Sequence, residues 1–508
     1  MPSSAKNKDK AAKDQNDRTM QLTIKNFGPI SSGKVDLKPL TIFIGPNNSG
    51  KSYLAILIHS FYKSISKGLK TGMKDIGITN IKDPTLKKFD KILDKLVTLK
   101  PNEAFTYPAN LISQIVNDKY PLIHSSKLSN EIMESFSSPL TNLVGGSSSS
   151  FIFTASNNRI KSRFALEGGE LKITKSNYIS KDIVFSFAIQ QEGWFAGISP
   201  DNENNKLNIN VNYKWKNKPN QYNLICSADA IINYLQMLFN DYLIKSKDTS
   251  YYLPAARSAL IQSYKFLTSR LWKSIPIAMT RGIETVDLPN FSGVVSSFLS
   301  EIAGIITKPK KYHKLAEDLE TDLLKGRLML HSPDNMPLSD IIYKAENLEI
   351  PLSRTSSAIQ EIAPLILYLK YIITDRTANL IIEEPEAHLH PANQRILAQY
   401  LAKLIRQGLN IIITTHSDYL LEQLASFVMM SGVDEKSRVK KYNRGKDDYL
   451  LPEEVGVYAF KRQKRGNAFK IEPVEVTQET GISMDEFSDV LNELYEETSN
   501  IRIDLQEK

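Results

Sequence analysis

An α/β fold is the class this sequence predicts, and three stretches predict it. An apolar run from Leu40 to Ile44 precedes a glycine-rich turn and a helical pattern over 53–63, period-two runs follow, and strand–helix alternation resumes at Ile350. With 508 residues, 41% hydrophobic and 24% charged, the chain has core enough for two or three domains. The longest apolar stretches, such as Leu365 to Leu369 and Ile411 to Ile413, fall far short of the ~20 residues that span a bilayer, and the N-terminus has no apolar signal core. No membrane association is expected, and a cytoplasmic location is. The one cysteine, Cys226, cannot form an internal disulfide and reads as core, not as a nucleophile.

The elements follow in order. Residues 1–19 mix Lys, Asp, Ser and Ala without apolar periodicity and read as a disordered tail. Residues 20–64 place Leu22, Ile24, Val35 and Leu37 around a turn at Gly28–Pro29, a hairpin leading into the apolar strand. A helical insertion occupies 65–145, with Leu86, Phe89, Ile92, Leu93 and Leu96 at helical spacing. The linker Gly145 to Ser150 opens a β-rich lobe over 146–257, with strand-like runs at 164–173, 183–189 and 207–213 and a helical pattern at 228–244. Tyr251 to Ser258 reads as a short strand ending on Arg257, and 258–345 as a helical region. Alternation returns over 346–430. Residues 431–508 read as basic loops, a β-hairpin and an acidic terminal helix from Ser483, where Glu486 completes a capping box and Phe487, Val490, Leu491 and Leu494 share a face.

The turn after Ile44 is Gly45-Pro46-Asn47-Asn48-Ser49-Gly50-Lys51-Ser52, the spacing G-x-x-x-x-G-K-[ST]. Backbone N–H groups must converge on phosphate oxygens, which requires glycines that tolerate unusual dihedrals and put no side chain in the way. Lys51 supplies a point charge to the terminal phosphates, and Ser52 a hydroxyl for Mg²⁺. A nucleoside triphosphate is the expected ligand. Hydrolysis also needs carboxylates, and Asn379 to Glu386 reads N-L-I-I-E-E-P-E. Alternation along a strand sends Glu383 and Glu384 in different directions, so Glu383 takes the metal role and Glu384 the water role. Glu386, His388 and His390 follow closely, and the competing reading of that cluster is a transition-metal site. The helix from Pro391 stops at Gly408, and Asn410 to Thr414 returns as a strand, a right-handed crossover in prospect. His416, in Thr414-Thr415-His416-Ser417, emerges at the carboxyl end of that strand, where open α/β sheets bind ligands.

These motifs together resemble the ABC-type ATPase head of SMC, RecF and OLD-family proteins, and more narrowly a group of stand-alone AAA-family ATPases. I-K-N-F-G-P-I from Ile24, G-P-N-N-S-G-K-S, Y-L-P-A-A-R-S from Tyr252, S-S-A-I-Q-E-I-A-P-L from Ser356, E-E-P-E-A-H-L-H-P from Glu383, T-T-H-S and G-I-S-M-D-E-F from Gly481 carry the resemblance. It implies a P-loop NTPase of ABC-ATPase type with an antiparallel β lobe and a helical insertion. It also implies two ATP molecules sandwiched in a homodimer or higher oligomer, with Ser356 to Gln360 as the signature segment. Ser357 is the candidate for the γ-phosphate of the opposite subunit; its competing role is an ordinary helix N-cap. Pro364 is expected to kink that helix.

The sequence departs from the family pattern in places. Ala358 stands where a signature glycine is usual, Glu383 where transporter heads carry Asp, and only Gln190 and Gln191 offer themselves for a glutamine loop. No heptad rod is present. OLD-type enzymes carry a Toprim nuclease domain after the head, whereas only about 90 residues follow Leu420 here, with no D-x-D pair. The resemblance therefore leaves three functions open. One is a switch controlling a separate nuclease or toxin effector, as in anti-phage systems such as Septu. The others are a RecF-like clamp on DNA and a slow ATP-dependent scaffold. The basic runs Lys436, Arg438, Lys440, Lys441, Arg444, Lys446 and Lys461, Arg462, Lys464, Arg465, Lys470 fit solvated loops, phosphate contacts or a docking surface alike, and the net charge of +8 does not choose between them.

Overall fold

The computed structural model describes residues 20–66, 104–107, 128–143, 149–155, 161–167, 170–177, 183–186, 195–201, 206–212, 249–263, 291–331, 340–346, 348–374, 378–464, 466–483 and 495–503. The N-terminal tail, the apolar face at Leu86 to Leu96, Gln190, Gln191, Cys226, the pattern at 228–244 and the face from Phe487 to Leu494 lie outside the described residues.

In chain order the strands are β1 (Met20–Phe27), β2 (Ile30–Leu37), β3 (Leu40–Ile44), β4 (Ala104–Tyr107), β5 (Ser149–Ala155), β6 (Lys161–Glu167), β7 (Glu170–Asn177), β8 (Ile183–Ser186), β9 (Phe195–Asp201), β10 (Lys206–Asn212), β11 (Ser250–Leu253), β12 (Arg327–His331), β13 (Asp340–Ala345), β14 (Leu348–Pro351), β15 (Asn379–Glu383), β16 (Asn410–Thr415), β17 (Val455–Arg462) and β18 (Phe469–Val474). The helices are α1 (Lys51–Ser66), α2 (Gly293–Ala303), α3 (His313–Leu319), α4 (Ser357–Leu367), α5 (Pro391–Arg406), α6 (Asp418–Met429) and α7 (Glu435–Tyr442). Two compact units result: Met1–Phe27, Ser60–Met133 and Ser138–Asp248 form one, and Gly28–His59, Glu134–Ser137 and Thr249–Lys508 the other.

In the second unit the strand order is β11-β15-β16-β3-β17-β18-β2. From β11 to β17 every neighbour pairs in parallel; β18 runs antiparallel to β17 and parallel to β2. Parallel strands covered on both faces read as continuous apolar runs, and all five residues of β3 and of β15 are buried. Leu397, Leu401, Leu404 and Ile405 of α5 join Leu380, Ile382, Ile411 and Ile413 in one core. α5 ends at the Gln407 C-cap, and Gly408 just past it takes the left-handed φ +87 that turns the chain away. At the turn before β2, Gly28 has φ +53, and a Cβ there would sit 2.5 Å from the Tyr53 ring. β12, β13 and β14 form a separate antiparallel sheet. The first unit carries the antiparallel order β1-β5-β6-β7, and apart from it β4-β8-β10-β9, in which β8 and β10 are parallel.

Two readings are corrected. Tyr251 to Ser258 is not one strand: β11 stops at Leu253 because Pro254 has no N–H to give a ladder, and Arg257 opens a helical stretch, 257–263. The 258–345 stretch is not helical throughout, since β12 alternates exposure with period two along five residues and pairs with β13. Pro364 sits within α4, which continues through a wide-turn segment, Tyr368–Ile372.

A second wide-turn segment, Glu320–Leu324, extends α3, and Lys370 Nζ meets Glu320 Oε2 at 2.6 Å, both side chains buried. Lys370→Met strands the Glu320 carboxylate in the core, at a cost of about 3–5 kcal/mol. Urea unfolding is expected to show that loss, and most of it should return in Lys370→Met/Glu320→Gln; a single mutant of wild-type stability contradicts the pairing. Among the described residues no helix is long and apolar enough to cross a membrane.

Candidate functional site

β3 delivers the loop from Gly45 to Ser52 between β16 and β17. Gly45 (φ +138) and Gly50 (φ +102) take dihedrals closed to other residues, and neither has room for a Cβ: it would lie 2.9 Å from the Phe460 carbonyl oxygen at Gly45 and 2.8 Å from Ile30 at Gly50. Asn48 is also left-handed (φ +60). Pro46, Asn47 and Asn48 are exposed, Ser49 is buried with its hydroxyl unpartnered, and Ser52 is exposed on the first turn of α1. Lys51 is buried, its Nζ donating to the carbonyls of Gly45 and Pro46, both at 2.9 Å. Burial lowers the Lys51 amine to about 8 against the opposing pull of Glu384, Glu386 and Glu383.

Those three carboxylates come from the end of β15 and the turn after it. Glu383 is buried; Tyr252 donates its hydroxyl to Oε1, and the Ala255 N–H donates to Oε2 at 3.0 Å. Glu384 is a non-glycine residue at φ +43, a conformation worth about 1–3 kcal/mol of strain, which its N–H bond to the Thr414 carbonyl (2.9 Å) helps to hold. Its half-exposed carboxylate reaches to 3.9 Å from His416 Nε2. Strand alternation does not set the direction of Glu384, because β15 ends at Glu383 and Glu384 leaves it through the left-handed turn. Burial first, then Lys51, lowers the His416 imidazole against the pull of Glu384, which favours its neutral form. Glu386 accepts from Thr415 Oγ1 (2.7 Å) and the His416 N–H (2.8 Å) through Oε1, while its buried Oε2 has no hydrogen-bond partner. Burial raises this carboxyl, with the two donors opposing. His390 is the N-cap of α5, its Nδ1 accepting from the Ala392 N–H.

The segment Ser356 to Gln360, expected to be the signature, opens α4. Ser356 is the N-cap, accepting from the Ile359 N–H, so the cap role does not fall to Ser357, whose side chain is exposed. Gln360 is buried, donating to the Thr355 carbonyl at 2.8 Å and accepting from Gln262 at 3.0 Å. Three residues given no part in the chemistry by sequence hold the site: Tyr252, Arg257 and Glu361. Arg257 and Tyr252 lie in Y-L-P-A-A-R-S and Glu361 follows Gln360, and those motif matches are the one signal that could have found them. Ser52, Glu383 and the unpartnered oxygen of Glu386 are hard oxygen donors of the kind Mg²⁺ takes.

In the basic runs, Arg438 is a structural residue and not a phosphate contact. It is 8% exposed, donates to the carbonyls of Met430 (3.1 Å) and Val433 (2.7 Å), and lies over the Tyr449 ring. Lys461 and Lys470 pair with Glu472 at 3.4 and 2.9 Å.

Titration of Lys51 follows from its burial. In competitive acetylation of the free chain without nucleotide or divalent ion, the Lys51 peptide should have its midpoint near pH 8, below the ~10.4 of an exposed lysine. Adding ADP should move it upward, because an anion favours the cation; a midpoint above 10 in the free chain contradicts the buried placement.

The family model described as "AAA ATPase domain" matches residues 20–421. Comparison with curated proteins gives no match. Among solved structures, an SMC head bound to the C-winged helix domain of ScpA is 11% identical, covering 91% of this chain and 98% of that one at a TM-score of 0.37. The SMC head domain from Thermotoga maritima is 10% identical (90% and 100% covered, TM-score 0.33). An Smc head with an extended coiled coil, bound to the C-terminal domain of ScpA and derived from Pyrococcus furiosus, is 11% identical (94% and 99%, 0.35).

Proposed function

The chain belongs to the AAA ATPase domain family, and from that premise we propose that it is an ATP-hydrolysing switch whose ATP-bound dimer acts on a separate protein effector, in anti-phage defence. The observation that carries the reading is the convergence of Lys51, Glu383, Glu384 and Glu386 at one sheet edge, with His416 beside Glu384. The loop N–H groups and Lys51 bind the β- and γ-phosphates. Glu384 takes the proton side of an attacking water and orients it; neutral His416 can accept a hydrogen bond from that water or donate one to the γ-phosphate, depending on its tautomer. When bound, Mg²⁺ supplies charge neutralisation at the phosphate oxygens, held by Ser52 and Glu383. Ser357, exposed and free of the cap role, supplies its hydroxyl and N–H to the γ-phosphate of the opposite subunit.

Loss of each part has its own signature. Lys51→Ala is expected to lose ATP binding and keep its fold, and Glu384→Gln to keep binding and lose at least ~100-fold in kcat. On the Glu384→Gln background, light scattering should show an ATP-dependent dimer that Ser357→Arg abolishes. Equal loss of affinity in Glu384→Gln reverses the two glutamate roles, and a monomer with normal turnover removes the sandwich.

The effector surface we assign to α7. Lys436, Lys440 and Lys441 are exposed beside Val439 (50% exposed) and Tyr442 (43%), and this mixture of apolar and cationic groups fits an acidic protein surface better than a bare phosphate backbone. Replacing the three lysines by Gln, with Arg438 left in place, should weaken effector co-purification and leave ATPase activity unchanged. Tight ATP-dependent DNA binding by the isolated chain, with a salt slope that falls by about one per lysine removed, would instead establish the clamp.

A further inference from the structure

Arg257 belongs to no motif that phosphate chemistry requires, yet it is 1% exposed and every guanidinium nitrogen is engaged. Nε donates to the Glu361 carbonyl oxygen at 3.0 Å, and the Glu361 carboxylate Oε2 lies 3.0 Å from the same nitrogen. Nη1 donates to the carbonyls of Pro254 (3.0 Å) and Glu383, and Nη2 to that of Glu384 (3.0 Å). Glu361 is equally buried, and its Oε1 accepts the Ser258 N–H at 3.1 Å. A planar fork with five donors can hold carbonyls from three segments at fixed angles, which a lysine ammonium cannot.

Two consequences follow. The Glu384 residue is clamped at both ends, its N–H on Thr414 and its carbonyl on Arg257, and this keeps the left-handed backbone that brings its carboxylate to His416. Glu361 lies about one turn along α4 from Ser357, so the same guanidinium is anchored to the helix whose start is exposed.

We infer that Arg257 is a positioning residue for Glu384, and that the Arg257–Glu361 pair couples the Ser356–Ser357 end of α4 to that carboxylate. Phosphate bound at the start of α4 then bears on the water-orienting group through a buried pair instead of through a loop. The inference rests on the roles given above to Glu384 and Ser357.

Two variants of the full-length chain test it. Arg257→Lys keeps a charge opposite Glu361 and removes the fork; Glu361→Gln keeps the carbonyl contacts and removes the ion pair. The measurements are thermal melting, affinity for a fluorescent ATP analogue, kcat and KM, and hydrogen exchange over 356–362 and 383–387. Nucleotide affinity and KM should stay within about 3-fold of wild type, while kcat of Arg257→Lys falls at least ~10-fold. ATP should slow exchange in both segments, in the wild type and in Glu361→Gln alike, whereas adding Ser357→Arg should weaken the protection over 383–387 on the wild-type background and leave it unchanged on Glu361→Gln. Wild-type kcat in a cooperatively melting Arg257→Lys, or an equal effect of Ser357→Arg on both backgrounds, overturns the inference; should Arg257→Lys not fold, that exchange comparison decides. Normal turnover of Ser357→Arg removes the two-subunit reading without touching the kcat test, whereas wild-type kcat in Arg257→Lys removes the positioning role whatever the oligomeric state.

Discussion

One buried cation organises the nucleotide end of the sheet. Arg257 gives its donors to the carbonyls of Pro254, Glu361, Glu383 and Glu384 and its charge to Glu361. Removing one member of a pair this deep costs about 3–5 kcal/mol, a large part of the 5–15 kcal/mol by which domains are stable. The pair is therefore a commitment of the fold. Once Arg257 is seated, the end of β11, the start of α4 and the turn after β15 can occupy only one mutual arrangement. Tyr252 and Ala255, on the same stretch as Arg257, then bring their donors onto the Glu383 carboxylate.

The phosphate-loop end is built on a different constraint, backbone proximity. Gly45 lies against the β17 backbone and Gly50 against Ile30, so the cradle is shaped by its neighbours as much as by its own dihedrals. Lys51 is the point where the two constraints meet. Its amine is held by loop carbonyls on one side and feels the carboxylates fixed through Arg257 on the other.

Much of this was legible in the sequence. β3 is apolar but for Thr41, β15 and β16 are short apolar runs ending in polar residues, and a strand buried on both faces has no other pattern to show. The glycines of the loop declare their dihedrals. What stayed hidden depends on distant partners. Arg257 looks like the end of a strand until Pro254 is seen to close the ladder, and Arg438 looks like one more surface cation until Tyr449 and the carbonyls of Met430 and Val433 surround it. Ser356 and Ser357 are equivalent caps by composition, and the choice between them is made by where α4 begins. The α/β, P-loop class follows from local pattern; the positioning of its carboxylates does not.

Glu384 carries a consequence of another kind. Its left-handed backbone is one that glycine adopts freely and a carboxylate-bearing residue does not. A library selected for thermal resistance alone should drift towards glycine at this position, and one selected for turnover should hold glutamate against that drift. With the role proposed for Glu384, position 384 is thus a place where durability and work call for different amino acids.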